Sequence, residues 1–86
     1  MRGMVKNSEM PELGSYAQAV AKAVKAATED AGVSGASIAR HMGRAQSYVS
    51  TRIQGRRAWT TDEVDAIAKL IGRDVDDLWA SAREYR

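Results

Sequence analysis

Five arginines with no carboxylate between them are the residues of this chain whose spacing most directly suggests a chemistry. They lie within residues 34–57, a stretch of net charge +5, and are Arg40, Arg44, Arg52, Arg56 and Arg57. Residues 1–33 are neutral, and residues 58–86 carry a net charge of −3. Guanidinium groups bind phosphate oxygens and release counterions from a polyanion. A nucleic-acid backbone is therefore the expected partner, and a solvated basic face is the alternative.

The residues that could support catalysis lack the companions that such chemistry needs. His41 is the only histidine and follows Ser37 by four residues, but no third group near in sequence orients it. Asp74, Asp76 and Asp77 could suggest a metal site, yet a helix cap and a first turn matched to the helix dipole explain them more simply. We therefore expect no enzymatic activity, no metal and no small-molecule cofactor.

Composition limits the class of protein. The chain has 86 residues, which suits one domain, and it contains no cysteine for a disulfide or a thiolate zinc site. Its uncharged runs are too short for a membrane span, and it does not open with a signal-peptide pattern. We expect a soluble, cytoplasmic protein without a membrane partner.

Hydrophobic periodicity predicts an all-helical domain of residues 14–86, preceded by a flexible tail of residues 1–13. Five helices are expected: Ser15 to about Asp30, Ser34 to Met42, Gln46 to Gln54, Thr60 to Gly72, and one that begins at Asp74. Glycines at positions 32, 43, 55 and 72 are placed to end the first four.

Capping residues support several of these helix starts. Ser15 with Gln18, and Thr60 with Glu63, have the spacing of a capping box, and Ser34 is placed as an N-cap. The second and third helices are too short to be stable alone, so they must pack on the others.

The pattern around these two helices resembles the Cro and lambda-repressor family. The matching residues are Ile38-Ala39, Met42-Gly43, Gln46-Ser47-Tyr48-Val49-Ser50 and Gly55-Arg56-Arg57, without a gap. The resemblance continues through Ile67-Ala68, Leu70-Ile71-Gly72 and Val75-Asp76-Asp77-Leu78. It implies a five-helix lambda-repressor-like DNA-binding bundle, with the helix-turn-helix at helices 2 and 3.

The resemblance also implies roles for individual residues. Base reading in the major groove is implied for Gln46, Ser47, Ser50 and Thr51. Phosphate binding is implied for Ser34, Gly35, Arg44, Arg52, Arg56 and Arg57, with Arg40 a weaker candidate.

The third helix departs from the family pattern in two places. Three residues after Val49 relatives place an apolar residue, whereas this chain has Arg52 there and Ile53 next. We expect the Arg52 stem to snorkel outward while Ile53 restores the core contact. Ala45 is a poor N-cap, which leaves the first amides of the helix for a phosphate. Tyr48 either packs beside the second helix or contacts a phosphate, and packing is favoured.

These expectations describe a sequence-specific regulator of transcription. We expect a repressor of the phage Cro or immunity-repressor type, acting in the bacterial nucleoid or in a phage-infected host cell. A homodimer on operator DNA would place its recognition helices about 34 Å apart. Trp59 and Trp79 are expected in the core, with partial exposure of Trp79 at a subunit contact as the alternative. The rival function is an antitoxin or another protein-interaction module built on the same fold.

Overall fold

The computed structural model describes residues 14–86, which form five α-helices and a closing 3₁₀ helix. The helices are α1 (Ser15–Asp30), α2 (Gly35–Met42), α3 (Gln46–Ile53), α4 (Thr61–Ile71) and α5 (Val75–Ser81), followed by the 3₁₀ helix Ala82–Tyr85. No strand occurs within this part of the chain. The all-α class and the five predicted helices are confirmed, and the expected tail of residues 1–13 lies outside the described residues.

Side-chain caps begin three of the helices as expected. Ser34 Oγ accepts a hydrogen bond from the Ser37 amide at 3.1 Å at the start of α2. Thr60 and Glu63 form the predicted capping box of α4, with each side chain bonded to the other residue's amide. The Asp74 carboxylate caps α5. Each cap of this kind stabilises a helix by about 1 kcal/mol.

The first helix begins at Ser15 as predicted, but its cap differs from the sequence-based prediction. The predicted capping box of Ser15 and Gln18 is wrong, because Gly14 is the N-cap of α1 and Ser15 already lies inside the helix. The amide of Gln18 bonds to the Gly14 carbonyl at 3.0 Å, as a helical amide does. Towards the other end of the chain, α5 stops at Ser81, and the chain tightens into the 3₁₀ helix, whose first residue, Ala82, is fully buried.

The turn between α2 and α3 depends on Gly43. Its φ of 66° lies in the left-handed region that glycine adopts without a steric penalty from Cβ. The chain therefore leaves α2 sharply and begins α3 after two further residues. The other three predicted glycine stops also have positive φ.

The core lies where α1 meets the remaining helices. α1 contacts α3, α4, α5 and the 3₁₀ helix, and α2 contacts α3 and α4. The largest fully buried side chains are Ile38, Ile67, Leu78, Val24, Val49 and Val64, which come from all five α-helices. α3 is therefore held from behind by α1 and α2.

The two tryptophans have different surroundings. Trp59 is buried as expected. Trp79 is half-buried, and its ring stacks on Tyr16 of α1 with 6.3 Å between the ring centroids. The Arg86 guanidinium lies 5.4 Å from the centroid of Tyr16. This aromatic contact joins the first and last parts of the described chain.

Candidate nucleic-acid interface

One side of α3 faces the core and the other faces solvent. Val49 is fully buried, and Ile53, one turn later, packs against the core as predicted. Gln46, Ser47 and Ser50 are exposed. Because helical residues three or four positions apart share a face, these three polar side chains lie together on the outer side of α3.

Thr51 and Gln54 make hydrogen bonds within the end of the same helix. Thr51 is half-buried, and its hydroxyl donates to the Ser47 carbonyl at 2.7 Å. Gln54, the C-cap of α3, donates from Nε2 to Ser50 Oγ at 3.3 Å. The Thr51 hydroxyl therefore donates its hydrogen bond within the helix.

The start of α2 adjoins the end of α3. A Cβ added at Gly35 would lie 3.6 Å from Ile53 Cδ1, and Ser34, just before it, is exposed. Neither α2 nor α3 has an acidic residue in its first turn, and the N-cap of α3, Ala45, makes no side-chain cap. Helix N-termini carry partial positive charge and free amides, so both starts suit an anion.

Exposed arginines flank α3 along the chain. Arg44 lies in the turn before it, and Arg56 and Arg57 follow it. Arg40 is exposed on α2, where its guanidinium lies 3.4 Å from Ser37 Oγ. These four side chains can all reach an anion outside the protein, and none has a carboxylate within its own segment of the sequence.

Arg52 differs from this group, and its expected outward position is wrong. Its side chain is only 18% exposed, and Nε lies 3.9 Å from Glu63 Oε1 of α4. Nη1 donates to the Tyr48 carbonyl at 3.2 Å, and the guanidinium carbon lies 3.4 Å from the centroid of the Tyr48 ring. A carboxylate and an aromatic ring therefore hold Arg52 against the protein, and this geometry does not favour it as a phosphate ligand.

Tyr48 is half-buried and packs against the core, and the polar partner of its hydroxyl belongs to α4. The Tyr48 hydroxyl donates a hydrogen bond to Glu63 Oε2. The guanidinium carbon of Arg44 lies 4.7 Å from the centroid of the Tyr48 ring. The hydrogen bond to Glu63 raises the pKa of Tyr48, and burial and the Glu63 charge act in the same direction. The tyrosine is therefore a neutral donor to a charged acceptor at neutral pH.

Glu63 is ionised in these surroundings. Burial alone would raise its pKa, but hydrogen bonds from Thr60 and Tyr48 and the charge of Arg52 outweigh this and hold the pKa below its usual value. The sequence pattern indicated Glu63 only as part of a capping box and missed its contacts with α3. The available signal was Arg52, an arginine at an apolar position, since a buried guanidinium needs a carboxylate nearby.

The chain matches no protein-family model, and a comparison with curated proteins finds no relative. The likeness to Cro and lambda-repressor proteins therefore stays a prediction from the residue pattern. Within residues 14–86, no helix has the length and apolar character needed to cross a bilayer. Nor do three His, Asp or Glu side chains meet as a potential metal site in that range.

Proposed function

We propose that this protein is a sequence-specific, double-stranded DNA-binding regulator of transcription that inserts α3 into the major groove. The single observation that carries this is the outer side of α3, where Gln46, Ser47 and Ser50 are exposed together. An α-helix fits the width of the major groove, where each base pair presents a distinct pattern of donors and acceptors.

The side chains on this face match the chemistry of base edges. Gln46, the first residue of α3, can form two hydrogen bonds with adenine through its amide. Ser47 and Ser50 can donate to or accept from either base of a pair. Thr51 offers its methyl group to the methyl of thymine. Gln46 is therefore the residue on which discrimination between sequences depends most.

Phosphate binding comes from the groups around α3. Arg44, Arg56 and Arg57 attract the backbone without reading sequence. At the start of α2, Ser34 Oγ caps the Ser37 amide, and the amides of Gly35 and Ala36 that precede it can bind a phosphate oxygen. Arg52 is removed from this set, because its guanidinium is engaged with Glu63 and Tyr48.

The regulator acts as a repressor of the Cro or immunity-repressor type, in the cytoplasm, on a two-fold symmetric operator. A homodimer would set its two α3 helices one DNA turn apart, about 34 Å. The resemblance in the sequence supports this assignment. A protein-interaction module would share the fold but would not need a polar outer face on α3 flanked by exposed arginines.

Amide NMR during titration with a duplex oligonucleotide tests the proposed function. We expect the largest shifts and line broadening in α3, at the start of α2 and around Arg44, Arg56 and Arg57. The amides of α5 should change least when the DNA is added at low molar ratio. Shifts confined to α1 and α5, or no shift with any duplex, would contradict a role in DNA binding.

A further inference from the structure

We propose that Glu63 is a positioning residue for DNA reading: by binding Tyr48 and Arg52 it fixes the orientation in which α3 enters the groove. This inference rests on the proposed function and deepens it, because it assigns sequence discrimination partly to a residue on α4 that lies behind the reading face. The geometry of the Glu63 carboxylate is its first support.

The two oxygens of Glu63 accept hydrogen bonds from different helices. Oε1 accepts from the Thr60 amide at 2.8 Å and so belongs to the start of α4. Oε2 accepts from the Tyr48 hydroxyl of α3. Because Oε1 is hydrogen-bonded to the backbone at the start of α4, Oε2 has a fixed position and can orient α3 through Tyr48.

The charges at this contact are matched and largely covered. Glu63 is 8% exposed, and Arg52 Nε is buried without a hydrogen-bond partner, at ion-pair distance from Oε1. A buried charge that loses its partner is strongly destabilising, so few orientations of α3 keep both Arg52 and Glu63 satisfied. Apolar packing alone tolerates small rotations, whereas the Tyr48 hydrogen bond is directional and the Arg52–Glu63 pair limits how far the two charges can separate.

The other restraints on α3 are mainly apolar, from packing on α1 and α2 through Val49 and Ile53. α3 has eight residues, of which only Val49 is buried, and its N-cap, Ala45, contributes no side-chain hydrogen bond. Tyr48 and Arg52 are four positions apart and therefore share one side of the helix. Any rotation that breaks their contacts with Glu63 also turns Gln46 away from its position on the outer side.

Three variants separate positioning from stability. Tyr48→Phe removes only the hydroxyl that binds Glu63 and keeps the ring under Arg52. Thr60→Ala weakens the same end of α4 but keeps the backbone amide that binds Glu63. Glu63→Gln retains a capping-box acceptor and removes the charge. For each variant, we would measure Tm, the salt slope, and the ratio of affinities for a selected duplex and a scrambled one.

We expect Tyr48→Phe and Glu63→Gln each to lower this ratio by about tenfold, the effect of losing one hydrogen bond to a charged group. The salt slope and the affinity for scrambled DNA should not change, because phosphate contacts remain. Thr60→Ala should lower Tm and keep the ratio. A variant that combines Tyr48→Phe with Glu63→Gln should lose no more discrimination than the more severe of the two single variants, since both changes remove the same contact.

Hydrogen exchange in the free protein supplies a readout that needs no DNA. In Tyr48→Phe and Glu63→Gln, amides of α3 should lose more protection than amides of α1, whereas in Thr60→Ala any loss should be the same in both helices. Unchanged exchange in α3, or a ratio that simply follows Tm in all variants, would overturn the positioning role alone. A wild-type protein that cannot distinguish the two duplexes would overturn the proposed function, and the specificity role with it.

Discussion

The Tyr48 hydroxyl on α3 donates a hydrogen bond to Oε2 of Glu63, which lies 15 residues further along the chain in the first turn of α4. The other oxygen of that carboxylate accepts from the Thr60 amide and completes the capping box of α4. One side chain therefore both begins α4 and holds α3. Glu63 is buried at this contact, and Tyr48 is half-buried.

Glu63 should make the stability of the fold depend on pH in the acid range. In the folded protein its pKa lies below the ordinary value of 4.5, because hydrogen bonds and Arg52 outweigh the effect of burial. A lowered folded-state pKa gives stability that is present above the ordinary value and lost as the pH falls through the folded-state value. The free energy of unfolding, measured with urea from about pH 7 down to about pH 3, should fall more steeply for the wild type than for Glu63→Gln. If the free energies of unfolding of the two proteins fell in parallel with pH, the charge of Glu63 would contribute nothing to stability.

Two glycine substitutions should change stability in opposite directions. Gly43→Ala should lower the free energy of unfolding by about 1 kcal/mol, because alanine is strained at a φ of 66° although no neighbour obstructs its Cβ. Gly35→Ala should raise it by about 0.5 kcal/mol, because the residue is helical and the added Cβ meets Ile53 at an ordinary 3.6 Å. Chemical denaturation of both variants under one set of conditions checks the pair, and equal effects would contradict the structure of the α2–α3 turn.

Gln46 should carry the largest share of base discrimination. Gln46→Ala should reduce the preference for a selected duplex over a single-base variant by about 1 to 3 kcal/mol, the value of a paired contact with adenine. Gln54→Ala is the matched control, because Gln54 is the C-cap at the opposite end of the same helix. Competition binding measures both. A larger effect from Gln54 would mean that the other end of α3 reads the DNA.

Exposed arginines near α3 should set the salt dependence. Replacing Arg44, Arg56 or Arg57 with alanine should each reduce the slope of log affinity against log salt by about 0.9, the contribution of one phosphate contact. Arg83→Ala, an exposed arginine in the 3₁₀ helix, should leave the slope unchanged. If every arginine had the same effect, the attraction would come from net charge and not from a defined interface.

Local signals predicted most of the fold. Ser34, Asp74 and the pair Thr60 and Glu63 begin their helices as expected, because a cap is formed by residues adjacent in sequence. For α1 the boundary at Ser15 was predicted but the capping box was wrong, since Ser15 fits either side of a helix boundary and Gly14 has no side chain to signal a cap. The change to a 3₁₀ helix after Ser81 depends on packing against α1.

The candidate site was predicted only in part. The exposure of Gln46, Ser47 and Ser50 follows from helix periodicity with Val49 inside. The inward position of Arg52 could not be derived in the same way, because it depends on Glu63, a residue on another helix. Periodicity assigns a side chain to a face, while a distant carboxylate decides whether a long cation turns outward or inward.

The central claim is that α3 reads a base sequence, and selection of bound sites from a pool of random duplexes tests it most directly. We predict an enriched palindromic motif with two half-sites, whose centres are one turn of DNA, about 34 Å, apart. The same selection with Gln46→Ala should lose information at matching positions of both half-sites. If the protein bound the DNA pool but no sequence became enriched after repeated rounds, the result would contradict sequence-specific reading.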